Sequence, residues 1–263
     1  MEVPKIEKVI DTKEIYNYIA TLNFPAMHAG GSQATKELVA MCNLTENTLV
    51  LDVGCGTGST ACLITKKYGS QVIGVDLSEN MIMRAKERAK KHKVYRKLEF
   101  RVEDVYQLSF SDGKFDLVLF ESVITPLSNE KQALKEIRRV TRPGGLIAGN
   151  EGIFDPSTPS EVFELLAKHP SFRGIFLSSN RLKEIFEELD LEILQFTEKK
   201  FTMNLLKEMG IGGLISFMLK SYPKLVYKLI TDSQFREYQK IDDKVNKVVK
   251  DYASCVLFLL QKP

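Results

Sequence analysis

The sequence predicts an α/β protein built on a doubly wound, mostly parallel sheet, and three observations predict it. Short apolar runs alternate with stretches of helical periodicity from Leu49 to Thr197. The first run, Leu49 to Val53, breaks into Gly54-Cys55-Gly56-Thr57-Gly58 and then into a helical stretch that closes at Gly69. The second, Gln71 to Val75, ends in Asp76, 20 positions after Gly56.

The bounds agree with that class. At 263 residues, 44% hydrophobic and 27% charged, the chain has the composition of one soluble domain with an insertion. A net charge of +3, from 37 basic and 34 acidic residues, supplies no field that favours nucleic acid as a partner. The densest basic stretch, from Arg84 through Lys86, Arg88, Lys90, Lys91 and Lys93 to Arg96 and Lys97, reads as the solvated face of a helix and the loop after it. Cys42, Cys55, Cys62 and Cys255 have neither Cys-x-x-Cys spacing nor nearby histidines, so no disulfide framework and no metal site is indicated. The N-terminus lacks the apolar core of a signal peptide and no apolar run is long enough to cross a bilayer, which reads as a reduced, cytoplasmic protein.

Taken in order, Ile15, Tyr18, Ile19 and Leu22 recur at helical spacing and predict an N-terminal amphipathic helix. The loop Phe24 to Gly31 follows, with Ser32 as the expected N-cap of a helix through Met41. Leu49 to Val53 reads as a strand buried on both faces. Gln71 to Asp76 is the second strand, and a helix from Ser78 to Lys91 turns Met81, Ile82 and Ala85 inward. Leu98 to Val102 is the third strand, ending in Glu103-Asp104-Val105, and Phe115 to Phe120 is the fourth, ending at Glu121. Leu134, Ile137 and Val140 mark a helix that stops before Arg142-Pro143-Gly144-Gly145. Leu146 to Gly149 makes a fifth strand, with Asn150 and Glu151 coming off its end. Ser179 or Asn180 caps a helix through Leu189, Leu191 to Thr197 is the sixth strand, and Ala253 to Leu260 the last.

The glycine loop carries the chemistry. Glycine permits the dihedrals of a tight strand-to-helix turn and lets a ligand approach the backbone, and the free amides of the first helical turn point at an anionic group. The spacing is Gly-x-Gly-x-Gly, with Ser59 where a dinucleotide fingerprint would place its third glycine. Asp52 would repel a pyrophosphate and attract an ammonium group. A zwitterionic ligand therefore fits better than NAD, and an NAD-dependent dehydrogenase is the rival that Ser59 and Asp52 disfavour.

With Val50 to Gly58 on the page, the chain resembles the class I S-adenosylmethionine (SAM) dependent methyltransferases over roughly residues 28–201 and the last strand. The resemblance implies a Rossmann-like, seven-stranded sheet whose last strand is antiparallel, with SAM as cofactor. Asp52, Gly54, Cys55, Gly56 and Gly58 then belong to the SAM loop, with Gly30 and Gly31 approaching the ligand from before it. Asp76 would accept from the ribose hydroxyls, with Leu77 on the adenine and Met81 behind it; the alternative is an ordinary acid at a helix start, a role better suited to Ser78 and Glu79. Glu103, Asp104 and Val105 would meet the adenine edge. Glu121 falls opposite the glycine loop, and Glu121, as a base or cation stabiliser, or His28 would assist at the acceptor, unless Glu121 acts through its backbone carbonyl alone. Tyr16, Phe24, Met27 and Asn150 would line the acceptor pocket, unless the N-terminal helix only packs on the sheet. The aromatic motif of DNA and RNA amino-methylating relatives is absent after the fourth strand.

The expected organisation is one domain, with an N-terminal helical lid at 1–42, a SAM-binding core at 43–201, a helical cap insertion at 202–251 and the final strand at 252–263. Ile211 to Leu219 is apolar all round, and Lys220, Lys224 and Lys228 recur every four residues after it. Such a cap encloses a lipid-like, quinone-like or aromatic acceptor, touches a membrane surface through 211–230, or forms a homodimer interface or plain lid. The implied function is in-line methyl transfer to a small acceptor. The alternatives are a SAM-binding partner protein without turnover and an RNA methyltransferase.

Overall fold

The computed structural model describes residues 28–167, 177–200, 231, 240 and 251–263. The N-terminal helix, the pocket residues Tyr16, Phe24 and Met27, the 202–251 cap apart from residues 231, 240 and 251, and the membrane and dimer expectations attached to it lie outside these.

The chain runs α1 (Gly31–Met41), β1 (Leu49–Val53), α2 (Ser59–Tyr68), β2 (Gln71–Asp76), α3 (Glu79–Lys91), β3 (Leu98–Val102), β4 (Phe115–Glu121), α4 (Glu130–Val140), β5 (Thr141–Phe154), α5 (Ser160–Ala167), α6 (Ser179–Glu188), β6 (Glu192–Lys200) and β7 (Ala253–Gln261). Among the described residues the strands form one seven-stranded sheet in the order β3-β2-β1-β4-β5-β7-β6. β3-β2-β1-β4-β5 pair in parallel, and β7 is antiparallel to β5 and β6.

Successive residues of the central strands enter opposite cores, as in-and-out alternation requires. Val50, Leu117 and Leu119 join Leu38, Ile64, Ile82 and Ala85 on the α1, α2 and α3 side. Leu51, Val118 and Phe120 join Leu134, Ile137, Ile185 and Phe186 on the α4 and α6 side. The order reverses between β1 and β4, and a crevice at the carboxyl ends of strands at such a switch is where this class of fold binds ligands.

Local signals explain most boundaries. Ser78 accepts from the Met81 amide and starts α3, and Gly69 in the left-handed region ends α2. Four expectations are corrected. The cap of α1 is Gly30, left-handed at φ 74, rather than Ser32, because Gly30 turns back tightly on Ala34. The cap of α6 is Ser178, accepting from the Arg181 amide, rather than Ser179 or Asn180. β5 runs from Thr141 to Phe154, since the Pro-Gly-Gly segment is an irregularity inside it, with Thr141 opposite Phe115. Asn150 and Glu151 are therefore inside the strand, paired with Leu257 and Val256, and not beyond its end. Helix α5 had no counterpart in the sequence reading. Among the described residues no helix is long and apolar enough to cross a membrane.

Candidate active site

All three loop glycines are left-handed, at φ 65 for Gly54, 51 for Gly56 and 73 for Gly58. They differ in what surrounds them. A Cβ on Gly54 would lie 2.4 Å from Val123 Cγ2, and one on Gly58 would lie 2.9 Å from both Ala85 and Phe100. A Cβ on Gly56 would meet nothing within 4 Å. Gly54 and Gly58 thus make room for their own chain, and Gly56 faces open space.

The loop's polar groups divide in the same way. The Cys55 amide donates to the Val75 carbonyl and the Gly58 amide to the Cys55 carbonyl, each at 2.9 Å. The Gly56 amide donates to Asp76 Oδ2 at 2.9 Å, while Asp76 Oδ1 accepts from Ser78. The amides of Thr57, Ser59 and Thr60 have no partner among the described residues. Unpaired amides at a helix start are an anion-binding arrangement.

Asp52 lies beneath this loop at 3% exposure. It faces the Ala61 amide, and its Oδ2 has no partner among the described residues. Burial, and next the charges of Glu121 and Asp76, push its carboxyl well above the usual carboxylate range. Burial likewise raises Asp76, against the opposing pull of the Ser78 and Gly56 amides. A buried acceptor without a donor and open space over Gly56 fit a ligand that brings both an ammonium and a carboxylate.

The flank residues take distinct places. Leu77 is 60% exposed beside Asp76, and Met81 is buried inside α3. The Glu103 amide donates to the Asp76 carbonyl, and its carboxylate holds Ser109. Asp104 is exposed and accepts from the Tyr106 amide, closing its own turn, while Val105 packs on the core.

The two base candidates meet in a closed polar cluster. Glu121 accepts from Thr60 Oγ1 at 2.8 Å and from Thr35 Oγ1 at 2.9 Å, and its Oε2 lies 3.4 Å from His28 Nδ1. His28 Nε2 lies 3.0 Å from the Thr35 hydroxyl. Asn150 has no exposed surface, donates to the Ala29 carbonyl at 2.6 Å and lies 3.1 Å from His28 Nδ1. The Ala29 amide donates in turn to Ser122 Oγ. Of the two glycines at the start of α1, Gly31 is buried, and a Cβ on Gly30 would lie 2.7 Å from Ala34 Cβ and 3.2 Å from Cys255 Sγ.

Two participants, Thr35 and Thr60, carry no role in the sequence analysis, and two more, Glu151 and Arg88, take places other than those expected for them. Thr35 and Thr60 are hydroxyls on the inner side of helix starts, a weak signal that could have been noticed. Glu151, fully buried, accepts from the amides of Val123, Ile124 and Thr125 and from the Thr125 hydroxyl. Arg88, assigned to a solvated face, instead turns back to the glycine loop.

Comparison with known proteins bears on this geometry. Residues 51–149 match the methyltransferase domain family model. Phosphoethanolamine N-methyltransferase 1 of Zea mays is 35% identical over 143 residues, 54% of this chain and 28% of that enzyme. The match thus spans little more than a quarter of that relative's length. A protein of Haemophilus influenzae is 29% identical over 175 residues, 66% of this chain and 70% of that one. The structure of Haemonchus contortus phosphoethanolamine N-methyltransferase 2, in complex with phosphomonomethylethanolamine and S-adenosylhomocysteine, superposes with a TM-score of 0.69 at 20% identity, covering 96% of this chain and 58% of that one.

Proposed function

We propose that the chain, whose residues 51–149 match the methyltransferase domain family model, is a class I SAM-dependent methyltransferase that transfers the methyl group of SAM to a small-molecule acceptor. The carrying observation is the loop after β1, where the amides of Thr57, Ser59 and Thr60 and the buried Asp52 Oδ2 have no partner among the described residues and Gly56 faces open space. Asp76 belongs to the same site as the acceptor for ribose hydroxyls. SAM supplies a methyl group already activated on a cationic sulfur, so the protein's task is to orient an acceptor behind it and keep water out.

Glu121 and His28 face each other and two threonines, and this supports a role in holding the end of β4 rather than in removing a proton. The acceptor we favour is apolar, lipid-like or quinone-like, on the strength of the apolar stretch Ile211 to Leu219 and the lysines after it.

Two measurements test the reading. Asp76→Ala should weaken SAM binding in calorimetry by about 1–3 kcal/mol, the cost of losing charge-assisted hydrogen bonds; unchanged affinity would remove the ribose assignment. Incubation with methyl-labelled SAM and cell extract should place label in small molecules, in the organic phase for an apolar acceptor. Label in macromolecules alone would overturn the small-molecule reading.

A further inference from the structure

Arg88 reaches from α3 to the back of the glycine loop. Its Nε donates to the Thr57 carbonyl at 2.8 Å and its Nη2 to the Thr57 hydroxyl at 3.0 Å. The peptide plane joining Thr57 to Gly58 is therefore held at both ends, because the Gly58 amide donates to the Cys55 carbonyl at 2.9 Å. A peptide unit is rigid, so fixing its carbonyl and its amide fixes the direction of the whole unit.

The other end of the loop is held in the same sense, by Asp76 accepting from the Gly56 amide. Between and just beyond these two fixed points lie the amides of Thr57, Ser59 and Thr60, which have no partner among the described residues. A loop with three glycines has unusually many conformations to lose. If it were ordered only when ligand arrived, that entropy would be subtracted from the affinity. An arginine suits the task because its planar fork donates to two oxygens of one residue at once, which a lysine ammonium does less well.

We infer that Arg88 is a positioning residue for the methyl donor, setting the glycine loop in advance so that the Thr57, Ser59 and Thr60 amides receive the donor's carboxylate. The inference rests on the donor site proposed above. It concerns one end of the ligand, and that makes it separable. The loop amides address the amino-acid end, whereas Asp76 addresses the adenosine end.

The experiment is calorimetric titration of the full chain with two ligands, S-adenosylhomocysteine and 5′-methylthioadenosine, the second lacking the amino-acid end. Arg88→Met should weaken S-adenosylhomocysteine about tenfold and leave methylthioadenosine within about twofold, since only the carboxylate contacts lose their preset geometry. Arg88→Lys, which keeps the charge, should fall between, and Thr57→Val should lose about threefold for S-adenosylhomocysteine alone. Equal weakening of both ligands, or no weakening of either in a variant that still melts cooperatively, would overturn the positioning role. Wild-type protein that binds neither ligand would overturn the donor site itself, and the inference with it.

Discussion

The loops after β1 and after β4 end at the same edge of the sheet, yet they handle their polar groups in opposite ways. After β1, Gly56 brings the backbone close to open space and three amides have no partner among the described residues. After β4, the amides of Val123, Ile124 and Thr125 all donate to the buried Glu151, and Glu121 is shared among Thr35, Thr60 and His28. Buried polar groups must find partners. A stretch that satisfies them internally is scaffold, and one that leaves them open is prepared for a partner from outside.

Breaking the β4 side should show up as lost stability. Glu151→Ala leaves three amides and a hydroxyl without their acceptor, and chemical denaturation should report a loss of about 4 kcal/mol. Donor affinity of the protein that remains folded should change little. A loss below about 1 kcal/mol would mean that water replaces the carboxylate easily, and the contrast between the two loops would weaken.

The glycine loop contains a sharper version of the same comparison. Gly58→Ala forces a Cβ against Ala85 and Phe100 at a left-handed φ, and should cost about 3 kcal/mol of stability. Gly56→Ala meets no neighbour, so it should cost only the backbone strain of about 1 kcal/mol while lowering donor affinity. Thermal unfolding and calorimetry on the two variants would separate packing from access; equal stability losses would erase the distinction.

A smaller effect than that of Gly58→Ala comes from Asp52. Its carboxyl titrates above its unfolded value, so between those two pH values the folded state holds a proton that the unfolded state has lost. Stability therefore falls as pH rises from the ordinary carboxylate range through the raised value. Asp52→Asn should remove that slope, stabilise the ligand-free protein by about 1–2 kcal/mol at pH 7 and weaken binding of a cationic donor. A pH-stability curve with the wild-type slope retained would assign the effect to another group.

Much of the β1 side was legible in the sequence because its information is local. A branched apolar run, three glycines at alternate positions and an acid after the next strand are fixed by backbone sterics and by the alternation of a buried strand. Those features predicted β1 to β4, the helix ends at Gly69 and Ser78, and a glycine loop with Asp76 beside it. The caps of α1 and α6 were misplaced by one or two residues because several small polar residues in a row offer a plausible cap, and tertiary packing chooses among them.

By itself, then, the sequence determined the α/β class, the succession of strands and helices from β1 to β4 and the position of the glycine loop, all properties of neighbours along the chain. Tertiary structure alone decided that Gly54 and Gly58 yield space to Val123, Ala85 and Phe100 while Gly56 does not. It also decided that Asn150 and Glu151 are sealed inside β5, and that Arg88 leaves the solvated face of α3 to hold Thr57. Each of these depends on which side chain arrives from a distant segment. Spacing along the chain encodes the direction in which a residue points, but not what it meets there.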